Sequence, residues 1–281
     1  MAEPIKFDAL VPSEMAHRAE EIGVKKAEMD AVSLFVLAIL AGAFIALGAI
    51  FATTVATGAG EMPYGVGKLL TGLVFCLGLI LVVVAGAELF TGNNLIVMAW
   101  ASRRISTQAL VRNWTIVYAG NFVGSIATSL LMYFTKQYTF NGGAVGQTAL
   151  NIANGKAGLD FVQALALGIL CNALVCLAVW LTFSAHSTTD KIMAIIFPIT
   201  AFVAAGFEHS VANMYFIPMG LFIKLFDADF TARAGLNLSN LTWDRFIINN
   251  LLPVTIGNII GGGLMVAAVY WFIYLRAREA S

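Results

Sequence analysis

The sequence predicts an all-α membrane protein with six transmembrane helices, arranged as two inverted repeats of three helices each. Composition is the first indication, because 59% of the 281 residues are hydrophobic and only 11% are charged, against about 25% charged residues in soluble domains. The apolar runs are also long enough for helices and exceed the ~10-residue strands of a membrane barrel. The third indication is a repeat of polar residues inside these runs.

The first predicted element is an amphipathic helix over residues 13–29, just after Pro12. Its apolar face consists of Met15, Ala19, Ile22 and Ala27. Charged side chains occupy the remaining faces, a pattern typical of a helix lying on a membrane surface. We therefore assign residues 1–30 to a cytoplasmic amphipathic N-terminal segment and residues 31–276 to a six-span transmembrane domain.

Six apolar segments follow, at about 31–57, 66–100, 108–135, 160–185, 191–223 and 247–275. The second and fifth are longer than the roughly 20 residues that one upright span needs. Both carry polar residues near the middle: Glu88, Thr91, Gly92, Asn93 and Asn94 in the second, and Glu208, His209, Ser210 and Asn213 in the fifth. Helices two and five are therefore predicted to be broken.

Polar residues inside the apolar segments recur along the chain. The pattern N-x6-G-N-x2-G begins at Asn113 in span three and again at Asn250 in span six, 137 residues later. Its glycines predict close helix packing in both spans. The pattern E-x4-N begins at Glu88 and recurs 120 residues later at Glu208. The second half of the chain is thus a duplicate of the first.

The repeats are predicted at about 31–135 and 160–276. The offset of 120 also maps Ala-Leu-Gly at 46–48 onto the same tripeptide at 166–168, a weaker match. Because each repeat has an odd number of spans, the second copy crosses the membrane in the opposite sense. Such folds place the binding or permeation site between the discontinuous helices of the two halves.

Positive charge predicts the orientation, because cytoplasmic flanks are enriched in Lys and Arg. Ten Lys and Arg residues, Lys6 and Arg278 among them, fall on the side of the two termini, against six on the other side. Both termini are therefore expected in the cytoplasm.

Several classes of function are disfavoured. The 16 basic and 16 acidic residues cancel, so no basic excess indicates nucleic-acid binding. Cys76, Cys171 and Cys176 all lie in apolar runs, which favours buried small side chains over disulfides or a metal site. No cleaved signal peptide is evident, so the first span is expected to direct insertion. We expect no cofactor.

The first break has features suited to an anion. Gly92 with Asn93 and Asn94 lets the chain leave the helix, and the helix that restarts near residue 95 presents free N–H groups and a positive dipole end. Thr91 can add a hydroxyl hydrogen bond to a carboxylate or nitrite oxygen. The alternative is that Thr91 only caps the restarted helix.

His209 is the candidate for proton chemistry. Ionisable groups inside spans are costly and usually functional, and an imidazole can change charge near physiological pH. A proton given to a weak-acid anion would remove most of the desolvation penalty of an apolar constriction. The alternative is a His held between helices by hydrogen bonds. Glu88 and Glu208 are expected to be scaffolding.

Lys156 and a set of apolar residues leave two interpretations open. Lys156, before span four on the outer side, either captures anions or extends to the membrane interface. The apolar residues near the breaks are Phe75, Leu79, Leu89, Phe90 and Phe202. They form collars that resist ions and water, or they are simple packing.

Three stretches carry a family resemblance: AGAELFTGN at 85–93, GILCNALVCLA at 168–178 and GFEHSVANM at 206–214. Together they resemble the formate/nitrite transporter family, and most closely its bacterial formate channels, over nearly the whole chain. The resemblance implies an aquaporin-like fold in the bacterial inner membrane, assembled as a homopentamer with one pore in each protomer. Aquaporins carry NPA triplets at their breaks, and this chain has none.

The resemblance also implies roles for individual residues. His209 would be the central pore residue, Thr91 would approach it, and Lys156 would attract the anion with Asn172, Glu208 and Asn213 nearby. The matching hydrophobic constrictions are Phe75 and Phe202 on the outer side, and Leu79, Leu89, Phe90 and Val175 on the inner side. The implied function is a passive, pH-dependent channel for formate and related small monovalent anions, without catalytic residues, cofactor or metal.

Other functions remain as alternatives. A nitrite or hydrosulfide channel of the same family would carry the same pore residues. A proton-coupled cation carrier would need a carboxylate facing the path. A membrane-embedded enzyme using Glu208 and His209 is disfavoured, because the sequence has no HExxH motif, no Cys/His ligand cluster and no supported Ser-His-Asp set.

Overall fold

The computed structural model describes residues 9–276, and the regular elements in that range are all helical. In the first half of the chain the α-helices are α1 (Pro12–Glu28), α2 (Ala31–Ala56), α3 (Tyr64–Ile80), α4 (Val97–Ala101) and α5 (Thr107–Phe134). In the second half they are α6 (Ala144–Ala157), α7 (Phe161–Phe183), α8 (Thr188–Ala204), α9 (Ser210–Phe226), α10 (Ala228–Ala234), α11 (Trp243–Arg245), α12 (Leu252–Ile259) and α13 (Val269–Tyr274).

The two longest apolar segments of the sequence each contain a non-helical stretch. Helix α3 continues as a π-helical segment to Gly86, and the chain becomes helical again only in a 3₁₀ turn that begins at Gly92. Helix α8 ends at Ala204, and α9 begins at Ser210. We call residues 87–91 the first break and residues 205–209 the second break. The last span is continuous, because α11, α12 and α13 are joined by π-helical turns.

The two halves begin in matching ways. Asp30 caps α2 by accepting hydrogen bonds from the N–H groups of Val32 and Ser33, and Asp160 caps α7 by accepting from the N–H of Gln163. Capping side chains satisfy backbone donors that a helix start leaves free. Each of these helices thus starts at an aspartate preceded by another helix, α1 or α6.

Helix α1 packs one face against the rest of the protein. Its buried residues are Met15, Ala16, Ala19, Gly23 and Ala27. Most of them are small, which allows close approach to the 3₁₀ turn after the first break, to α4 and to α5. The N-cap is Val11, one residue before Pro12. Residues 1–8, with Lys6, and Arg278 lie outside the described residues.

Glycines bring the spans into close contact, as the sequence predicted. A Cβ at Gly124 would collide with the carbonyl of Ile39 in α2, and a Cβ at Gly261 would collide with the carbonyl of Ile169 in α7. Helix α2 accordingly packs against α5, and α7 packs against α12. The backbones of these pairs approach so closely that only glycine fits at the two positions.

Five helical stretches are long and apolar enough to cross a membrane: residues 31–56, 64–86, 107–134, 161–183 and 243–274. A sixth is possible if α9 and α10, bent by 106° between them, count as one span. Helices α8 and α9 have 17 residues each, so the fifth apolar segment of the sequence is divided between two shorter helices. The protein is a multi-pass membrane protein. Helix α6 was not predicted from the sequence.

Candidate functional site

Asn121 of α5 holds the first break in place. Its side-chain oxygen accepts a hydrogen bond from the N–H of Phe90 at 2.9 Å, and its side-chain nitrogen donates to the carbonyls of Ala38 at 2.7 Å and Glu88 at 2.9 Å. Each buried backbone group left unpaired would cost about 1–3 kcal/mol. One fully buried amide side chain therefore satisfies two groups of the break and ties it to α2.

Asn258 of α12 holds the second break by the same pattern. Its side-chain oxygen accepts from the N–H of Ser210 at 2.9 Å, and its nitrogen donates to the carbonyls of Gly168 at 2.8 Å and Glu208 at 3.0 Å. Asn258 lies 137 residues after Asn121. The recurring Asn-containing motif thus supplies the anchor of each break.

Lys156, at the end of α6, forms an ion pair with Glu208 of the second break. The Nζ atom lies 2.7 Å from Oε1, and the other carboxylate oxygen accepts from the side chains of Asn213 at 2.6 Å and Asn250 at 3.2 Å. The carboxylate is 5% exposed, and the Lys156 side chain is 19% exposed. Lys156 therefore does not extend to a membrane interface.

A second ion pair joins Lys26 of α1 to Glu88 of the first break. The Nζ atom of Lys26 lies 2.6 Å from Oε1 of Glu88 and donates to the side-chain oxygen of Asn93 at 3.0 Å. Asn93 donates to the other Glu88 oxygen at 2.7 Å, and Asn113 donates to the carbonyl of Lys26 at 2.9 Å. Lys26, Glu88, Asn93 and Asn113 thus correspond to Lys156, Glu208, Asn213 and Asn250 of the other cluster.

Sequence reasoning missed Lys26, although the sequence holds a signal for it. Lys26 precedes Asp30 by four residues, and Lys156 precedes Asp160 by four, so the offset in this part of the chain is 130. The backbone agrees, because Glu88 donates its N–H to the carbonyl of Leu37 and Glu208 donates to that of Leu167. The Ala-Leu-Gly match at an offset of 120 was therefore wrong, since position 167 corresponds to position 37.

His209 and Thr91 connect the two breaks. Nε2 of His209 lies 2.9 Å from Oγ1 of Thr91, and both residues are buried. Nδ1 of His209 accepts a hydrogen bond from the N–H of Ala212 at 3.0 Å, which caps α9. Because Nδ1 is an acceptor, a neutral ring carries its hydrogen on Nε2 and donates it to Thr91. Thr91 makes no capping hydrogen bond through its side chain.

The backbone of Thr91 is held by α7. Its carbonyl accepts a hydrogen bond from the side chain of Asn172 at 3.2 Å and from Sγ of Cys176 at 3.3 Å. The Asn172 nitrogen also donates to the carbonyl of Asn258 at 2.7 Å. Cys76, Cys171 and Cys176 are free and buried, as expected from their apolar surroundings.

One cavity opens beside the first break and α1. This α1-side vestibule has a volume of about 450 Å³, and Lys26, Glu88, Leu79 and Leu89 are among the residues that line it. Leu79 and Leu89 thus line the same cavity. Leu89 stands 120 residues before His209, so an aliphatic residue occupies the position that holds the imidazole in the other half.

A second cavity opens beside the second break and α6. This α6-side vestibule has a volume of about 500 Å³, and its lining includes Lys156, Glu208, His209, Phe75 and Phe202. The ring centroids of Phe75 and Phe202 lie 5.7 Å apart, edge to face, and the centroid of Phe202 lies 6.0 Å from that of His209. The aromatic pair and the imidazole thus form one continuous surface.

Five of the named site residues line neither vestibule: Phe90, Thr91, Asn172, Val175 and Asn213. Thr91 and Val175 are buried. Phe90 is also buried, and its ring packs edge to face against Trp114 and Tyr118 of α5. Leu79 and Leu89 therefore line a cavity, whereas the ring of Phe90 packs against α5.

A multi-pass helical protein with buried ion pairs at two breaks, and a polar contact that joins them, belongs to the class of membrane transport proteins. The formate/nitrite transporter family matches residues 13–272. The chain belongs to this family, whose members transport solutes and are not enzymes.

The relatives include a formate channel, FocA, of Escherichia coli strain K12, which is 49% identical over 277 residues and covers 97% of each chain. A solved structure described as a pentameric formate channel with formate bound is 52% identical, covers 88% of this chain and 98% of its own, and has a TM-score of 0.82. A second structure, of an FNT family ion channel, is 26% identical with a TM-score of 0.80 over 93% of this chain and 99% of its own.

Proposed function

We propose that the protein is a passive, pH-dependent membrane channel for formate and related small monovalent anions, with His209 and Thr91 at its centre. The observation that carries the proposal is the 2.9 Å contact between His209, which lines the α6-side vestibule, and Thr91 of the other break. The names of the 49% identical relative and of the formate-bound structure support formate as the main substrate.

The proposed architecture has six spans in two inverted, aquaporin-like repeats, with the two breaks in spans two and five. Its support is the correspondence of the Lys26–Glu88 and Lys156–Glu208 pairs and of the anchors Asn121 and Asn258. The correspondence includes α1 and α6, so each repeat begins one helix before the predicted boundaries near 31 and 160. An inverted arrangement puts the two vestibules on opposite sides of the membrane.

Each vestibule is suited to anion capture by its lysine. The side chain of Lys156 is more exposed than that of its partner Glu208, and both residues line the vestibule, so we propose that an entering anion meets the lysine first. Asn213 and Asn250 hold the carboxylate of Glu208 through hydrogen bonds, which keeps the negative charge away from the path. We assign these residues to attracting and positioning the anion.

The centre offers two hydrogen-bond donors to an anion. The imidazole carries a hydrogen on Nε2, and the Thr91 hydroxyl, which accepts from it, keeps a hydrogen of its own. A carboxylate that reaches this point can therefore accept from either group. Charge-assisted hydrogen bonds of this kind are roughly twice as strong as neutral ones.

Proton uptake by His209 would give the pH dependence. Because Nε2 already carries a hydrogen, a proton from solvent binds at Nδ1 and breaks the hydrogen bond from Ala212. The imidazolium then passes its Nε2 proton to formate, which yields formic acid and a neutral imidazole with its hydrogen on Nδ1. Release of that hydrogen and uptake of a proton at Nε2 restore the starting ring and its hydrogen bond from Ala212. Loss of the charge removes most of the desolvation cost of passing the apolar side chains.

Apolar residues on either side of the centre would exclude hydrated ions. Phe75 and Phe202 lie in the α6-side vestibule beside His209, and Leu79 and Leu89 lie in the α1-side vestibule. We propose these two pairs as the outer and inner constrictions. Val175 stays a candidate for the inner one, and the packing of Phe90 against Trp114 favours a structural role for that ring.

The protein is further proposed to be a homopentamer in the bacterial inner membrane, with both termini in the cytoplasm and one pore in each protomer. The formate-bound relative is described as pentameric, which supports the assembly. The bacterial source of the 49% identical formate channel supports the membrane, and the excess of Lys and Arg on the side of the termini supports the orientation.

The decisive experiment compares liposome flux of formate, nitrite, hydrosulfide and lactate between pH 5 and 8. We expect formate to pass fastest, without a coupled cation. Faster nitrite or hydrosulfide flux would assign the protein to the alternative substrates of the family. Cation flux abolished by Glu88→Gln or Glu208→Gln would favour the carrier, although both carboxylates are engaged by Lys and Asn side chains.

A further inference from the structure

A basic cleft lies away from both vestibules, at the end of α4 and the start of α5. It has a volume of about 650 Å³ and is lined by residues 100–101 and 103–107 together with Trp271 of α13. Nothing in the proposed passage of an anion uses this cleft. Its lining contains two arginines and no acidic residue.

Two tryptophans fix the shape of the cleft. The indole N–H of Trp100 donates to Oγ1 of Thr107 at 3.0 Å, and that of Trp271 donates to Oγ of Ser102 at 3.0 Å. The loop turns sharply at Arg103, whose φ of 55° lies in the left-handed region. A non-glycine residue adopts this conformation only at an energetic cost, so the surrounding contacts hold the loop in one shape.

The cleft concentrates positive charge. Arg103 is exposed, and no ion-pair partner for it occurs among residues 9–276. Arg104 contacts Glu20 at 3.1 Å but remains 45% exposed. The 28-residue helix α5 starts at the same place, after Ser106, and adds its positive dipole end. A planar guanidinium beside a helix N-terminus is suited to phosphate.

The position of the cleft favours a lipid as the source of the phosphate. Tryptophans concentrate where the hydrocarbon of a membrane meets water, and Trp100 is 42% exposed. Next to Trp271, Phe272 and Ile273 are 51% and 58% exposed, which gives acyl chains an apolar surface. A soluble phosphate would gain nothing from these neighbours, whereas a phospholipid would contact the arginine and the apolar surface together.

We propose that this cleft binds the phosphate of an anionic phospholipid headgroup, with Arg103 as the main contact and Arg104 beside it. Trp100 and Trp271 form its walls. In the proposed orientation the cleft faces the cytoplasmic leaflet, because it lies on the same side as α1 and both termini.

The test measures binding of phosphatidylglycerol and phosphatidylcholine to the purified full-length protein by native mass spectrometry. We expect phosphatidylglycerol to bind more tightly, and Arg103→Gln to weaken that binding about fivefold, since one basic residue near a membrane surface contributes about 1 kcal/mol. Arg233→Gln, at an exposed residue of α10 outside the cleft, is the matched control and should bind phosphatidylglycerol like wild type.

Two outcomes would overturn the proposal. One is equal binding of phosphatidylglycerol by wild type, Arg103→Gln and Arg233→Gln. The other is binding of glycerol phosphate to the wild-type protein as tightly as phosphatidylglycerol, which would identify a soluble phosphate as the ligand. Gel filtration of each variant establishes that assembly is unchanged, and formate flux serves as the independent measure of folding.

Discussion

Nε2 of His209 and Oγ1 of Thr91 lie 2.9 Å apart, and this hydrogen bond joins two breaks that are 118 residues apart in the chain. The opposite edge of the imidazole accepts the N–H of Ala212. Both ring nitrogens are thus engaged, and the proton state of the ring is linked to the start of α9 on one side and to Thr91 on the other.

Replacing Thr91 by Val keeps the shape of the side chain and removes the hydroxyl. We expect formate flux to fall about tenfold or more, because a hydrogen bond to a charged group contributes about 1.5–3 kcal/mol. Thr91→Ser keeps the hydroxyl and is the matched control. Stopped-flow uptake into liposomes measures both. Equal flux in Thr91→Val and wild type would remove the hydroxyl from the pathway.

His209→Asn and His209→Phe separate proton uptake from helix capping. Asn is a favoured N-cap residue, so it can replace the acceptor for Ala212, whereas Phe loses a cap that typically contributes about 1 kcal/mol. Neither side chain takes up a proton near neutral pH. We expect both variants to change the pH dependence of formate flux, and only Phe to lower the melting temperature. Wild-type pH dependence in His209→Asn would contradict proton uptake by this residue.

Lys156→Gln and Lys26→Gln probe the two vestibules separately. Each substitution should reduce formate flux most at low concentration and when formate enters from the side of the altered vestibule. The reason is that each ammonium raises the local anion concentration, an effect that salt screens. Flux is measured in both directions with oriented vesicles at low and high ionic strength. A loss independent of side and salt would instead indicate damage to the fold.

Asn121→Ala and Asn258→Ala test the anchors of the breaks. Each substitution removes one hydrogen-bond acceptor and two donated hydrogen bonds in fully buried surroundings. We expect each to destabilise the fold by about 3 kcal/mol or more, since three backbone groups lose a partner and each unpaired buried group costs about 1–3 kcal/mol. Thermal unfolding in detergent measures the effect. Ser239→Ala, on an exposed loop, provides a comparison and should leave the melting temperature unchanged.

The spans and the breaks were predictable because their signals are local. An apolar run fixes a helix by length, and polar residues inside the run indicate an interruption. The predicted place was wrong, because the chain leaves the helix at Gly86, whose φ is 84°, and Gly92, Asn93 and Asn94 lie in the 3₁₀ turn after the break. The contact of His209 with Thr91 was predictable only through the family resemblance, since no spacing rule relates residues 118 apart.

Helix α6 and the role of Lys26 were not predicted, for a physical reason. Helices α1 and α6 are short and bury mainly small residues such as Ala19, Gly23 and Ala153. Small residues such as Ala and Gly are only weakly hydrophobic, so the buried face of such a helix differs little from its polar faces in sequence. The pattern of α1 therefore resembles that of an amphipathic helix on a membrane surface. Their partners come from distant parts of the chain, which periodicity cannot indicate.

The matched ion pairs have a consequence for the capture of formate at the two entrances. At Lys26 and Glu88 the exposed fractions of the side chains are 26% and 8%, and at Lys156 and Glu208 they are 19% and 5%. At both entrances of the proposed pore the lysine side chain is therefore more exposed than the glutamate side chain, and by a similar amount. Ion pairs so alike would attract formate to nearly the same degree from either side, and the electrochemical gradient of formate across the membrane would set the direction of net movement.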